Sequence, residues 1–171
     1  MQVVKKILGA LFIFMVAVIV WMPRTELYFK LEHILSQKGV YLNEKSISDG
    51  LVSLEIQESQ VYFEGISLAT IQQSQLITLL LWNRLEIDGV VVDDGFSDRL
   101  PKEVKHISLV YSLLAPQKIA IEAVGTFGRL EGSILLDERK IYLELVEVAE
   151  IKKIKPYLKK GKKGWYYEIS F

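Results

Sequence analysis

Two textures divide the chain. Residues 7–22 are apolar without interruption, and from Val40 onward apolar and polar residues take turns at a period close to two. A run that is apolar on every side offers no polar face to water, so it reads as a helix in a membrane. Alternation at a period of two reads as strands with one face buried and the other wet.

The apolar run is sixteen residues, or about 24 Å as a helix, against about 30 Å of hydrocarbon in a bilayer. Val3 and Val4 lengthen it beneath Lys5 and Lys6, whose side chains can snorkel to the headgroups. Trp21 stands where an interfacial aromatic belongs, and Pro23 ends the helix. Ile7, Leu11, Phe12, Phe14, Ile19 and Trp21 are the expected anchor residues. A cleavable signal peptide is the rival reading, but Trp21-Met22-Pro23-Arg24 offers no small-residue cleavage site. Lys5 and Lys6 precede the helix and only Arg24 closely follows it, beside Glu26. The positive-inside rule therefore puts the N-terminus in the cytoplasm and residues 24–171 across the membrane.

Behind the anchor, Leu27, Leu31, Ile34 and Leu35 fall on one face of a helix over 25–38, stopped by Gly39. Strands are predicted at 52–57, 61–63, 66–72, 85–93, 107–113, 118–124, 129–136, 141–146 and 165–171. The connections at 115–117, 125–126 and 137–140 are too short for anything but antiparallel neighbours. Two segments break the alternation. Leu76, Leu79, Leu80 and Asn83 keep a helical spacing behind Ser74 as N-cap, which predicts one or two helical turns over 74–83. Val148, Ile151, Ile154 and Leu158 predict a lysine-rich helix near the C-terminus, interrupted or terminated near Pro156. The expected fold is mainly β: a transmembrane anchor over 1–23, then one domain over 24–171, a curved antiparallel sheet with short capping helices.

Charge refines this picture unevenly. The chain is neutral overall, with 21 basic and 21 acidic residues. Residues 24–100 hold six basic against twelve acidic side chains, which argues against nucleic acid as a partner. Residues 150–163 hold seven lysines against one glutamate. Of these, Lys152, Lys153, Lys159, Lys160, Lys162 and Lys163 form either a membrane- or partner-facing basic surface or a solvated helix face.

Candidate chemistry is sparse. The chain has no cysteine, which removes thiol catalysis and thiolate metal sites. Asp93-Asp94-Gly95 reads as a turn rather than a carboxylate pair. His33 and His106 have no motif neighbours, no Gly-x-Ser-x-Gly elbow occurs, and the glycines at 125, 128 and 132 suit bulges or turns. Trp165, Tyr166 and Tyr167, with Tyr28 and Phe29, line either a core or a hydrophobic groove. No enzyme, cofactor or metal is expected.

One resemblance adds to this. The segment Ile66-Ser67-Leu68-Ala69-Thr70-Ile71, then Ser74-Gln75-Leu76-Ile77-Thr78-Leu79-Leu80-Leu81-Trp82, then Leu85-Glu86-Ile87-Asp88-Gly89-Val90 resembles type II secretion system protein N and the related AsmA-like proteins. Tyr111-Ser112-Leu113-Leu114-Ala115-Pro116 and Gly125-Thr126-Phe127-Gly128-Arg129-Leu130 are similar to the closing sheet of protein N, and Gly164-Trp165-Tyr166-Tyr167 follows in the same order. The resemblance implies a single-pass bacterial inner-membrane protein with a periplasmic β domain, built into a protein-secretion apparatus among other envelope subunits. The alternative is a lipid-handling module of the AsmA or lipopolysaccharide-transport kind, with an apolar groove in its sheet. The resemblance supplies no catalytic residues.

Overall fold

The computed structural model describes residues 2–96, 100–161 and 164–171. Helix α1 (Gln2–Val20) is about 28 Å long. It is long and apolar enough to cross a membrane, and none of it is buried in the protein. Three residues then lead into α2 (Arg24–Ser36), a helix where the sequence predicts one, but the packed residues are Arg24 and Tyr28, and the expected apolar face at Leu27, Leu31 and Ile34 is left exposed.

Everything that follows is one sheet. Its strands are β1 (Val40–Asp49), β2 (Ser53–Phe63), β3 (Ile66–Thr78), β4 (Trp82–Val92), β5 (Glu103–Ser112), β6 (Lys118–Gly125), β7 (Gly128–Leu135), β8 (Lys140–Val148), β9 (Lys159–Lys160) and β10 (Trp165–Ser170). The strands run antiparallel, in the order β1-β2-β3-β4-β5-β6-β7-β8-β10-β9. The order is linear, so the sheet has two free edges. The mainly β, antiparallel fold expected from the alternation is what the chain adopts.

Two predicted helices do not form. Residues 74–78 finish β3, and 79–81 make a tight turn, with Leu79 N–H to Trp82 O at 2.9 Å. The helical spacing of Leu76, Leu79 and Leu80 is the sum of one strand residue and a hairpin tip. Residues 149–158 turn and pass through a single 3-10 turn, Lys155–Tyr157, with Pro156 inside it. Proline lacks the N–H that a longer helix would need there.

The predicted strands omit β1, because the alternation is interrupted there. The ladders skip one residue in each of five successive strands: Lys45, Glu58, Gln72, Gly89 and Lys105. Glu58 and Gly89 have φ of +50° and +65°, which reverses the side-chain alternation. Burial in β2 accordingly falls on Leu54 and Ile56 and then on Ser59, a step of three. Leu42 and Ile47, five residues apart, pack against one cluster for the same reason. A crease thus crosses half the sheet, and a strict period of two cannot survive it.

Register sorts the side chains by face. One row runs Leu54, Leu76, Leu85, Leu109, Ile121, Gly132, Leu143, Tyr167 across eight strands. A second runs Ile47, Ile56, Ser74, Ile87, Ile107, Ala123, Leu130, Leu145. One residue along, on the other face, the row is Glu55, Gln75, Glu86, Ser108, Glu122, Glu131, Glu144, Tyr166. One face is mainly apolar, interrupted at Ser74, and the other is mixed, with a charged row beside one that holds Ile77, Val110, Ala120 and Tyr142.

The largest buried cluster lies at one end of the apolar face, and Ala123, Phe127 and Leu145 are buried separately at β6–β8. Helix α2 packs on β1 and β2, and Tyr28, Leu54 and Ile56 form a cluster with Leu42, Ile47 and Leu76. Beyond it, Leu85, Leu109, Ile121, Leu143 and Tyr167 are only partly buried. Among the described residues no second sheet exists and no helix but α1, α2 and the 3-10 turn. The shelter those side chains have comes from their neighbours and from the coil that twist gives a sheet of about ten strands.

Candidate functional site

Three places merit attention: the apolar face, the joint between α1 and the sheet, and the charged groups elsewhere.

The apolar face follows from sequence directly. Strand residues at alternate positions are Val, Ile, Leu and aromatic, which fit a pleated half-buried surface. A sheet normally covers such a face with a second layer. Here α2 does so for β1 and β2; on the remaining strands Ala123 and Leu145 are buried, while Leu85, Leu109, Ile121, Leu143 and Tyr167 stay partly open. Gly132 is the one gap in the first row. A Cβ there would sit 2.0 Å from Tyr142 O, so β7 and β8 approach too closely for any side chain.

The joint is built on Arg24, 2% exposed and among the most deeply buried side chains. Its Nε donates to Thr78 Oγ1 at 2.7 Å. Its Nη1 donates to the carbonyls of Met22 and Gly50, each at 3.4 Å, and its Nη2 to the carbonyl of Ile19. The carbonyl of Ile19 is among the unpaired acceptors at the C-terminal end of α1, where a cation also meets the negative end of the helix dipole. Arg24 therefore ties α1 to the β1–β2 turn and to the end of β3. Thr25 adds a hydrogen bond to Asp49 at 2.9 Å. In the sequence Arg24 reads only as a charge flanking the apolar run. Its role depends on Thr78, 54 residues away, and no local signal announces it.

Beside the joint, Tyr28 donates to Glu44 under the cover of α2. Burial pushes its phenol far above the ordinary tyrosine range, and the Glu44 hydrogen bond pushes the same way. Phe29, its neighbour, is exposed. Trp165 and Tyr167 stand on β10, beside the edge strand β9 and seven strands away from β2, so Tyr28 and Tyr167 belong to opposite ends of the row that runs from Leu54. Tyr166 instead stacks on Tyr142, with ring centroids 5.7 Å apart.

In the charged row of the other face, register sets Glu122, Glu131 and Glu144 side by side. Arg129 relieves the repulsion, reaching Glu122 at 2.9 Å and Glu131 at 2.8 Å. His106, expected to lack a neighbour, pairs with Asp88 across β4–β5 at 2.6 Å. That partner is visible only once the register is known. Asp93 and Asp94 lie in the turn after β4, as the Gly95 signal implied. No group of three or more potential metal ligands occurs among the described residues.

The lysines do not share a helix. Lys152 and Lys153 stand in the turn after β8, lining a cleft of about 610 Å³ with Pro101, Lys102 and Ile154. Lys159 and Lys160 form the short edge strand β9. Lys162 and Lys163 lie outside the described residues. Lys152 and Lys153 lie beyond the far end of β8, at the end of the sheet opposite Arg24. The expected anchor residues Ile7, Leu11, Phe12, Phe14 and Ile19 all lie on α1, and Trp21 just beyond it, 84% exposed.

No protein-family model, no curated protein and no solved structure matches this chain.

Proposed function

We propose that the chain is a membrane-tethered, non-enzymatic lipid-handling module, whose open apolar sheet face takes acyl chains delivered from the bilayer that holds α1. The observation that carries this reading is the first register row, which runs from Leu54 to Tyr167 across eight strands with no polar side chain but the Tyr167 hydroxyl and is only partly buried beyond β3. A face that supports interfaces alone has no need of continuity, whereas an acyl chain needs an unbroken apolar path. The tether reads as a single pass of the bacterial inner membrane, with the Lys5–Lys6 side cytoplasmic and the sheet periplasmic.

Photo-crosslinking residues placed at Leu109 and Ile121 in intact membranes test this. Lipid adducts at both, absent from the same probe at Glu131 in the charged row of the other face, are the expected result. Adducts to protein alone would overturn it.

One observation favours a second reading, in which the sheet is a subunit of a secretion apparatus. Strand β1 has a free edge, and β9 pairs with only Trp165 and Tyr166 of β10. Unpaired edge strands accept a strand from another protein. Protein adducts from probes on β1, with none to lipid from the apolar face, would favour it.

A further inference from the structure

Antiparallel hairpins put alternate turns at alternate ends of the sheet. The β1–β2, β3–β4 and β5–β6 turns lie at the end where Arg24 binds Thr78 and the Gly50 carbonyl, which is the end where α1 arrives. These three loops, residues 50–52, 79–81 and 113–117, contain no charged residue. At their tips Leu51 is 72% exposed, Leu81 50% and Leu114 85%.

The turn chemistry is as odd as the exposure. The β3–β4 connection is closed by Leu79 N–H to Trp82 O at 2.9 Å and Trp82 N–H to Leu79 O at 3.4 Å, leaving Leu80 and Leu81 as a two-residue tip. In water such tips favour asparagine, aspartate and glycine. The opposite end of the sheet shows what this chain uses where turns meet solvent: Glu64-Gly65, Asp93-Asp94-Gly95, and Glu150 with Lys152 and Lys153. The apolar set also has a boundary. The β7–β8 turn, on the same end but farther from α1, returns to charge with Asp137, Glu138 and Arg139.

We infer that the tips of the first three odd-numbered hairpins, carrying Leu51, Leu80, Leu81, Leu113 and Leu114, sit in the headgroup–acyl boundary of the bilayer that α1 crosses. The occupant of this apolar rim is the lipid bilayer, because the rim is held against the end of a bilayer-spanning helix by the hydrogen bonds of Arg24. Apolar side chains flanked by uncharged backbone partition into that boundary. The sheet then stands on its strand ends, and its apolar face opens at the membrane surface. This inference rests on α1 lying in the bilayer, and not on the lipid-handling reading.

The absence of cysteine makes the test clean. Single substitutions Leu114→Cys, Leu81→Cys, Glu64→Cys and Phe12→Cys carry an environment-sensitive fluorophore on the full chain in phosphatidylcholine nanodiscs. The expected result is that labels at 114 and 81 are quenched by shallow spin-labelled lipid and protected severalfold from aqueous iodide, while the label at 64 behaves oppositely. The label at 12, quenched by deep spin-labelled lipid, reports α1 independently. Labels at 114 and 81 as open to iodide as that at 64, with position 12 quenched, would overturn the rim and leave the anchor standing. Protection from iodide without lipid quenching would also overturn it, since a second copy or another protein would then cover the tips. A Leu80→Asn, Leu81→Gly, Leu114→Ser variant should keep its β circular dichroism and lose the lipid quenching of a label at position 51.

Discussion

Arg24 shows how much one side chain can hold. A buried guanidinium is tolerated only when its donors are used. Here three of its nitrogens reach Thr78 and the carbonyls of Ile19, Met22 and Gly50. Arg24→Met keeps part of the stem and removes every hydrogen bond. It should cost about 3 kcal/mol, because the buried Thr78 hydroxyl and three partly buried carbonyls lose their donor at once. Arg24→Lys should recover less than half, since one ammonium cannot span the same fork. Urea unfolding in micelles measures both. A loss within a few tenths of a kcal/mol for the methionine variant would mean that α1 is not held by this residue. Tyr28 gives a pH signature. Its phenol is raised above the ordinary value of 10.0 by burial first and by Glu44 second. A group raised in the folded state contributes its full stability below the unfolded value and loses it as pH climbs past. Stability should therefore hold up to about pH 10 and fall above it. Tyr28→Phe should flatten that alkaline limb while costing about 1 kcal/mol at neutral pH.

The crease and the close strand pair set the limits at the level of elements. Gly89 sits at φ +65°, and a Cβ there would meet only the flexible end of Gln72. Gly132 has ordinary backbone angles, yet its Cβ would meet Tyr142 O at 2.0 Å and Leu143 Cα at 2.7 Å. Backbone cannot swing aside as a glutamine can. Gly132→Ala should thus cost on the order of 3 kcal/mol by prying β7 from β8. Gly89→Ala should cost about 1–2 kcal/mol, the penalty for a left-handed alanine. Thermal unfolding of the two variants checks the order, and a reversed order would refute the assignment of the close approach. The hairpins were the most legible elements: wherever alternation was clean, as in 118–124 or 129–136, the predicted strand matched the observed one to within a residue or so. Alternation failed at the crease, where Glu58 and Gly89 take positive φ, and where leucines occupy the β3–β4 tip.

At the scale of the whole molecule, stability is uneven by construction. The buried cluster joins α2 to β1, β2 and β3, and Leu145 is buried on β8, while β9 and β10 hold no fully buried residue. Amides opening against little apolar burial exchange fast. Hydrogen exchange should therefore be slowest in the middle of β2 and β3 and faster by orders of magnitude in β9 and β10. Uniform protection from β2 to β10 would show that something covers the apolar face. A chain that carries lipid should show this second pattern when lipid is present and the first when it is stripped.

The apolar run at 7–22 determined by itself that one helix is fit for a bilayer, because a side chain's transfer free energy needs no tertiary partner. Alternation by itself determined an antiparallel, mainly β domain, since each strand's two faces are written at consecutive positions. Register was beyond it. Pairing brought Asp88 to His106, Glu122 to Glu131 and Arg24 to Thr78, and each of those contacts spans separations that local pattern cannot encode. Pairing also decided that the first apolar row continues through eight strands with no second layer, and that three uncharged hairpin tips gather at the end where the membrane helix arrives. Hydrophobicity is a property of residues, so the sequence carries it. Adjacency is a property of the closed ladder, so only the folded sheet decides which hydrophobic residues become one surface.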